Sequence, residues 1–431
     1  MLVAGTRPEA IKLAPVTWSL QHFRVDYVFV WSGQHYDYEL SRVFFEQLGL
    51  PNPDLDLDVR SGTHAEQTAR IMIGVEKAIE RYRPSIVVAQ GDTNTTLATA
   101  LASVKTLTPF AHVEAGLRSW DRTMPEEVNR VIADIIAELN FAPTWLAAVN
   151  LMHSGVPLRK IYITGNTIVD VVYRFKNLIS EQGEKFLKKH MLEPGKFILA
   201  TIHRQENTDN SWRLQNIVKA LTELSKHLPV VLPIHPRTLK RLRANGLLNS
   251  LRPHVLLSRP LGYFEFLGLL NNAALVLTDS GGVQEEACIL GIPTLTLRYN
   301  TERPETVMAG TNMVVGVKAE EVAEVALKIL NDQNYANKKN CGKMLGDGKA
   351  GERIAKILRD SVNKAKVEDN DIREDPYLIH ALVETDKVNC ESCEIVAAYN
   401  ENGFPVLELD KARKLLVRIA LREFLRCLRN P

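Results

Sequence analysis

Short apolar runs alternate with longer amphipathic stretches along most of this chain. Apolar runs of about four to eight residues indicate buried strands, and apolar positions three or four apart indicate helices. Strands that alternate with helices predict βαβ units and parallel sheets. The predicted strands form two series, which are Leu2–Ala4, Val25–Trp31, Ser85–Gln90, Pro109–Val113 and Ile161–Thr164, and then Phe197–Ile202, Val230–Ile234, His254–Leu257, Ala274–Thr278, Thr294–Leu297 and Met313–Val315.

The two series predict two doubly wound α/β domains, which we assign to residues 1–168 and 169–363. Residues 364–376 are charged and end in proline, which predicts a linker. Residues 377–431 form a small appended module. In that module, alternating runs on either side of Asn400-Glu401-Asn402-Gly403 predict a β-hairpin, and Asp410 can cap a final basic helix.

Composition and charge exclude several classes of protein. The 431 residues are 45% hydrophobic and 24% charged, which is typical of a globular protein. A net charge of +2 gives no reason to expect nucleic acid as a partner. No apolar run reaches the ~20 residues that a membrane-spanning helix needs. Five cysteines, mostly unpaired by their spacing, suit a reducing compartment, so we expect a cytoplasmic protein.

Polar segments, several of them rich in glycine, adjoin the ends of four predicted strands. They are Gly5–Lys12, Gln90–Thr93, His112–Arg118 and Thr278–Glu286. Open α/β sheets bind ligands just beyond the carboxyl ends of their strands, so these segments predict a shared ligand crevice.

Ser280, Gly281 and Gly282 lead from a predicted strand into a predicted helix. Helix N-terminal amides bind anions, and glycine lets a phosphate approach the backbone. Glu286 lies about one helical turn further on, where its carboxylate can accept both hydroxyls of a ribose. We favour a nucleotide diphosphate site, and the alternative is a turn that needs glycine for its own geometry.

The first such segment carries two cations. Arg7 and Lys12 suit a diphosphate leaving group, and the alternative is an ordinary helix start with solvated basic residues.

Carboxylates mark the other strand ends of the first domain. Asp92 and Glu114 each follow a strand, whereas Glu126 and Arg130 lie where a loop enters a helix. Such carboxylates could act as a general acid and a general base. Asp92 could instead be a helix N-cap, and Glu126 and its neighbour Glu127 could be first-turn carboxylates that favour the helix dipole.

Two histidines follow strands of the second domain. His203 and His235 suit anion contacts or proton handling, although a structural hydrogen bond is the interpretation we favour for His235. The two α/β domains contain no cluster of His, Cys and carboxylates with metal-ligand spacing, so we predict no catalytic metal.

Together with Pro125–Arg130, His203-Arg204 and Thr301–Glu305, these segments resemble the non-hydrolysing UDP-N-acetylglucosamine 2-epimerase family, from residue 1 to about 357. The resemblance implies two Rossmann-like domains of the glycosyltransferase-B type with a cleft between them. It also implies an isomerase without a cofactor that serves surface polysaccharide biosynthesis. We expect a homodimer.

The resemblance assigns roles residue by residue. Its substrate-binding residues are Arg7, His235, Phe266, Ser280, Gly281, Gly282 and Glu286. Its catalytic residues are Asp92, Glu114 and Glu126, with Lys12, Arg130 and His203 in support. The Ser-Gly-Gly segment would contact the UDP phosphates, Arg7 would reach them from the first domain, Glu286 would bind the ribose, and Phe266 would lie near the uracil.

The implied reaction inverts C2 of UDP-GlcNAc to give UDP-ManNAc. UDP is eliminated as the C2 proton leaves, a glycal stays bound, and UDP re-adds as a proton returns to the other face. Three rival functions remain: 2-epimerisation of a modified UDP-sugar such as a diacetamido uronic acid, glycosyl transfer, and non-enzymatic sensing of a nucleotide-sugar.

Some residues depart from the family pattern. Bacterial members bind a second UDP-GlcNAc as activator, partly through a Gln-His turn and an Arg-Gln pair. Gln34-His35 is present here, whereas Ser61-Gly62 stands at the Arg-Gln position and Tyr299 replaces a frequent aspartate.

The appended module lies outside the resemblance. Cys390 and Cys393 form a Cys-x-x-Cys pair that His380 and Cys427 could complete as a structural zinc site, although two ordinary core cysteines are the favoured alternative. The final basic helix could contact an anionic membrane surface, or pack its apolar face on the hairpin or a partner subunit.

Overall fold

The computed structural model describes residues 1–33, 45–332 and 342–365, together with two short strands near the C-terminus. The described chain divides into two compact units. Unit 1 contains Met1–Thr167 and the segment that begins at Gly348, and unit 2 contains Ile168–Asp347.

Unit 1 is built on a seven-stranded parallel sheet in the order β3-β2-β1-β4-β5-β6-β7. Its strands are β1 Leu2–Ala4, β2 Phe29–Trp31, β3 Leu55–Asp56, β4 Val87–Gln90, β5 Phe110–Val113, β6 Leu139–Ala142 and β7 Ile161–Ile163. Its first helices are α1 Arg7–His22, α2 His64–Tyr82, α3 Asn94–Lys105, α4 Pro125–Ile136 and α5 Trp145–His153, with a 3₁₀ turn at Leu158–Lys160.

Unit 2 is built on a six-stranded parallel sheet in the order β10-β9-β8-β11-β12-β13. Its strands are β8 Ile198–Thr201, β9 Val230–Pro233, β10 Val255–Ser258, β11 Leu275–Thr278, β12 Thr294–Thr296 and β13 Asn312–Val314. From the junction at Thr167 onward, the helices are α6 Thr167–Arg174, α7 Lys176–His190, α8 Gln205–Thr208, α9 Ser211–Leu224, α10 Pro236–Ala244, α11 Leu248–Leu251, α12 Tyr263–Asn271, α13 Gly281–Leu290, α14 Pro304–Met308, α15 Ala319–Asn331 and α16 Gly342–Leu345.

The prediction of two doubly wound parallel-sheet domains is therefore confirmed. Two strands of the first sheet are absent from the predicted set. Strand β3 has only two residues, and β6 follows the apolar run of α4 with no glycine or proline between them. The pattern around Leu139 consequently continues that of the preceding helix.

The last helix of the described region belongs to unit 1. Helix α17, Ala350–Ala365, packs on α1, and Arg353 donates a hydrogen bond to the carbonyl of Thr164 at 3.1 Å. A Cβ added to Gly351 would lie 2.4 Å from the backbone of Pro15, so glycine permits this close approach. The sequence pattern places residues up to 363 in the second domain, because chain order alone does not show this return of the chain to unit 1.

In both sheets the first strand along the chain occupies an inner position rather than an edge. In unit 1 the chain runs outward from β1 to β3 and then returns to β4, so β1 and β4 are neighbours from which the connections leave in opposite directions. Strands β8 and β11 have the same relation in unit 2. Such topological switch points open a crevice at the carboxyl ends of the two strands. The polar segments found in the sequence follow these strands or their neighbours.

Near the C-terminus, β14 Ala398–Tyr399 pairs antiparallel with β15 Pro405–Val406, as the predicted hairpin requires. The final basic helix lies outside the described residues. None of the described helices is long and apolar enough to cross a membrane. Cys288 is buried in α13 and is disulfide-bonded.

Candidate active site

Glu114 directly follows β5 and adopts a left-handed backbone conformation with φ of 68°. This conformation is uncommon for a residue other than glycine and often marks functional sites. The buried carboxylate accepts hydrogen bonds from Lys12 Nζ, at 2.5 Å, and from the side-chain amide Nε2 of Gln90. Predicted residues Lys12 and Glu114 thus form one buried ion pair.

Asp92 lies two residues beyond β4, next to the strand that carries Glu114. Its carboxylate pairs with the guanidinium of buried Arg130, and its backbone carbonyl accepts a hydrogen bond from Asn129 at 2.9 Å. The N-cap of α3 is Thr93, whose hydroxyl accepts from the amides of Thr95 and Thr96. The alternative that Asp92 caps this helix is therefore wrong by one residue.

The two adjacent carboxylates of α4 have different surroundings. Glu127 is buried and accepts hydrogen bonds from the Ser119 amide, at 2.8 Å, and from Arg130, at 3.1 Å. It therefore holds the preceding loop and Arg130 in place. Glu126 is half-buried, and its side chain makes no hydrogen bond or ion pair within the described residues.

Glu9 is a structural residue that the site prediction leaves out. Its buried carboxylate accepts from the Gly5 and Thr6 amides at 2.9 and 2.7 Å and from the Thr93 hydroxyl at 2.6 Å. Burial raises the pKa of Glu9 above its ordinary value, although these hydrogen bonds partly offset that effect. Glu9 joins the turn after β1 to the turn that carries Asp92. Its capping-box position after Thr6 is the sequence signal for it.

In unit 2, the segment after β11 opens helix α13. Ser280 is the N-cap, and its hydroxyl accepts from the Val283 amide at 3.5 Å. A Cβ added at Gly282 would meet no described atom within 4 Å. The packing around this residue therefore does not require glycine, which favours the interpretation that a ligand approaches the backbone here.

His203 and Asp279 bring β8 and β11 together at the switch point. His203 Nδ1 lies 3.0 Å from Asp279 Oδ1, and the backbone amides of His203 and Arg204 donate to the same carboxylate. Burial alone would raise the pKa of Asp279, but the contacts with His203 and Asn207 outweigh it and lower this pKa below its ordinary value. A buried carboxylate thus anchors the loop of His203.

A second buried network lies around α13. Arg303 pairs with Glu285, and the fully buried Arg298 donates to Glu302 at 2.9 Å. Burial would raise the pKa of Glu302, but Arg298, Arg204 and Arg303 lower it far below its ordinary value. The Arg303–Glu285 pair connects the loop after β12 with α13, and the Arg298–Glu302 pair holds that loop together.

The remaining predicted residues are distributed as follows. Glu286 is buried in α13, and the nearby Tyr263 has a pKa raised by burial and by the Glu286 charge. Phe266 is partly buried against the unit 2 core.

His235 is exposed and caps α10, accepting a hydrogen bond from the Arg237 backbone amide at 3.2 Å, which supports the favoured structural interpretation. Arg7 is exposed in the first turn of α1 of unit 1.

The proposed zinc ligands Cys390, Cys393, His380 and Cys427 lie outside the described residues, as does Gln34-His35. In the described part of the chain, no group of three or more His, Cys, Asp or Glu side chains could hold a metal ion.

Comparison with known proteins gives consistent matches. The family model for UDP-N-acetylglucosamine 2-epimerase matches residues 19–359. A UDP-N-acetylglucosamine 2-epimerase from Methanocaldococcus jannaschii is 46% identical over 83% of this chain and 98% of its own length. A UDP-2,3-diacetamido-2,3-dideoxy-D-glucuronate 2-epimerase from Pseudomonas aeruginosa is 39% identical over 83% of this chain and 98% of its own length.

A solved structure is similar as well. The crystal structure of Methanocaldococcus jannaschii UDP-GlcNAc 2-epimerase in complex with UDP-GlcNAc and UDP aligns with a TM-score of 0.77 and 44% identity. The alignment covers 83% of this chain and 99% of that structure. Motifs, fold and these matches agree, and the chain belongs to the UDP-N-acetylglucosamine 2-epimerase family of isomerases.

Proposed function

We propose that this protein interconverts UDP-GlcNAc and UDP-ManNAc by elimination and re-addition of UDP. In the first step the C2 proton leaves to a base while the C1–O bond breaks, so that UDP departs and a glycal stays bound. In the second step UDP re-adds at C1 as a proton reaches the opposite face of C2. No electrons are exchanged with an external carrier, so the reaction needs no redox cofactor.

The observation that carries this proposal is the pair of carboxylates on neighbouring strands. Inversion at C2 requires a proton to leave from one face and to return on the other, which two acid–base groups can perform. Asp92 and Glu114 follow the adjacent strands β4 and β5, and Arg130 and Lys12 hold them. We assign proton transfer to these two carboxylates and to Glu126 of α4.

Departing UDP needs stabilisation of its negative charge. The N-terminus of α13, with Ser280, Gly281 and Gly282, supplies backbone amides suited to a diphosphate. We assign UDP binding to this segment, with Glu286, Phe266 and His235 as further contacts. For the same leaving group we assign positive charge to Arg7 and a hydrogen-bonding ring nitrogen to His203.

Proton nuclear magnetic resonance in D₂O tests the proposal directly. The protein with UDP-GlcNAc alone should produce UDP-ManNAc, and both epimers should acquire deuterium at C2 because the proton passes through an exchangeable group. A glycosyltransferase or a sensor would leave the sugar and its C2 proton unchanged, and that result would overturn the proposal.

A second candidate is 2-epimerisation of a UDP-diacetamido uronic acid, because the Pseudomonas relative shares 39% identity over the same part of the chain. The same elimination chemistry would apply. Parallel assays with both sugars decide between the candidates by comparing kcat/KM, since specificity is a ratio of these values.

We further propose that the protein is a homodimer. Helix α4 turns an apolar stripe outward: Val128 is 42% and Ile135 58% exposed, and Val131 and Ile132 between them are half-exposed. Val104 of the neighbouring α3 is also exposed. Contiguous apolar patches usually mark interaction sites, and an uncharged helical stripe can pair with its own copy around a two-fold axis.

Light scattering after size exclusion tests this assembly. Ile135→Glu should convert a dimer to a monomer, whereas the control Trp212→Glu, at an exposed apolar residue of unit 2, should not. A monomeric unmodified protein, or a dimer that survives Ile135→Glu, would refute the proposal.

Cytoplasmic location, a role in surface polysaccharide biosynthesis, and contact of the C-terminal basic segment with a membrane or a partner remain predictions. Cell fractionation and gene deletion would test the first two.

A further inference from the structure

His112 lies in β5, two residues before Glu114, and its side chain is fully buried. Each ring nitrogen meets one polar group. Nε2 lies 2.7 Å from the carbonyl oxygen of Gly91, and Nδ1 lies 2.7 Å from Oδ1 of Asp134 on α4. His112 therefore connects the end of β4 with α4, which carries Glu126 and Arg130.

Both partners of the ring are acceptors. The Gly91 carbonyl has no proton to give, so Nε2 must donate to it. Asp134 also accepts from the guanidinium of Arg118 at 2.6 Å and from the Gly116 amide at 3.2 Å, so both of its oxygens act as acceptors. Nδ1 must therefore donate as well. An imidazole that donates from both nitrogens is an imidazolium.

Asp134 and Arg118 are the charged neighbours of the ring. Asp134 is fully buried and Arg118 nearly so. The ring of Phe110 stacks on His112 at a centroid distance of 6.1 Å and adds no charge. Among the described residues, Asp134 is the charged group in contact with the imidazole, and Arg118 reaches it through Asp134. The Asp134 carboxylate therefore lies between the imidazole ring and the guanidinium of Arg118.

The contact acts on the peptide that leads into Asp92. Gly91 has φ of 80°, a conformation that favours glycine, and its carbonyl belongs to the peptide bond with Asp92. Asn129 of α4 holds the next carbonyl, that of Asp92, at 2.9 Å. The backbone on both sides of the Asp92 Cα is thus tied to the same framework.

We propose that His112 is a positioning residue for Asp92: held by Asp134, its imidazolium fixes the Gly91 carbonyl and so sets the position of the Asp92 carboxylate. This inference rests on the acid–base role of Asp92 in the proposed function. Displacement of a reacting group by about 1 Å can cost about 100-fold in rate, so the contact can matter without touching the substrate.

Two substitutions separate the two hydrogen bonds of the ring. His112→Asn keeps a donor close to the Nδ1 position, toward Asp134, and loses the contact with Gly91. His112→Gln keeps a donor close to the Nε2 position, toward Gly91. His112→Asn should lower kcat by about 100-fold with KM for UDP-GlcNAc unchanged, and His112→Gln should recover most of that loss.

The protonation state is tested without any activity measurement. In the full-length protein labelled with ¹⁵N-histidine, two-bond ¹⁵N–¹H spectra distinguish an imidazolium from either neutral tautomer. The His112 signals, identified by their loss in His112→Gln, should show both ring nitrogens protonated at neutral pH. A neutral ring would overturn the proposal.

Kinetic outcomes can overturn it as well. Equal losses of kcat in His112→Asn and His112→Gln, or losses that follow a fall in Tm, would indicate a merely structural histidine. Asp92→Asn distinguishes failure of the positioning role of His112 from failure of the acid–base role of Asp92. If Asp92→Asn is inactive while His112→Asn is normal, the positioning role alone fails; if Asp92→Asn is active, the acid–base assignment itself fails.

Discussion

The two switch points of this protein have the same topology and different chemistry. In unit 1, carboxylates at strand ends are paired with buried or nearly buried cations: Glu114 with Lys12, and Asp92 with Arg130. In unit 2, a carboxylate also lies at the strand end, but Asp279 is fully buried and accepts hydrogen bonds from backbone amides. The helix that follows it has Ser280 as its N-cap and begins with Gly281 and Gly282.

The difference shows how one architecture can serve two parts of the proposed reaction. In unit 1 the proposed site consists of side chains that can exchange protons. In unit 2 the proposed site consists of backbone amides at a helix N-terminus, and the acidic side chains brace the loops around it. A doubly wound sheet provides the crevice in both cases, and the residues placed at the strand ends decide what happens there.

The largest expected effect is on turnover, from a change to the unit 1 carboxylates. Asp92→Asn or Glu114→Gln should lower kcat by at least about 100-fold, because each removes an acid–base group. UDP affinity measured by calorimetry should stay the same, and the exposed Glu76→Gln should be neutral in both assays. Near-normal turnover in both variants would refute the acid–base role of the unit 1 carboxylates.

The next effect concerns the unit 2 helix. Gly282→Ala and then Gly282→Val should weaken UDP binding in that order, reaching about tenfold or more for valine, since an added side chain blocks the approach of a phosphate to the backbone. Tm should hardly change, because a Cβ there meets no described atom. Unchanged UDP affinity in Gly282→Val would place the diphosphate elsewhere.

A smaller effect is expected on stability, with a defined pH dependence. The pKa of Asp279 is lower in the folded protein than its ordinary value of about 3.9, so its stabilisation is complete above that pH and is lost as pH falls through the folded-state pKa. Asp279→Asn should cost about 1–3 kcal/mol near neutrality, or about 2–4 °C of Tm per kcal/mol.

Thermal melts of the unmodified protein and of Asp279→Asn between pH 3 and 7 check the direction of this pH dependence. The Tm difference should be constant above about pH 5 and should shrink below about pH 4. A difference that grows as the solution becomes more acidic would contradict the assigned role of Asp279.

The smallest expected effect is that of the C-terminal segment. A chain shortened to end at Ala365 keeps α17 and the whole region matched by the family. Turnover per active site should be unchanged in this protein. Loss of activity in a shortened protein that keeps its Tm would show that the C-terminal module takes part in the chemistry.

Sequence patterns predict the fold class and the strand-end motifs because both follow from local alternation and strand order. They fail where neighbouring residues have equal propensity. Asp92 and Thr93 are both good N-caps, and only the backbone geometry selects Thr93. Glu126 and Glu127 are equivalent first-turn carboxylates, and only tertiary packing buries Glu127.

Long-range contacts are also invisible to the pattern. Glu9 accepts a hydrogen bond from Thr93, which lies 84 positions further along the chain. His112 in β5 is hydrogen-bonded to Asp134 in α4. No local period encodes such pairs, so residues that act through others are the part of a site that sequence reasoning misses. The missed strand β6 has a related cause, because its apolar run merges with that of α4.

The return of α17 to unit 1 makes unit 2 an insertion within the sequence of unit 1. The chain passes between the units twice, at Thr167–Ile168 and at Asp347–Gly348. Unit 2 is therefore a continuous segment that could be expressed by itself as residues 168–347. A fragment that stops at Thr167 would instead leave the Pro15 side of α1 bare, and only co-expression with the α17 segment or a circular permutation would restore it.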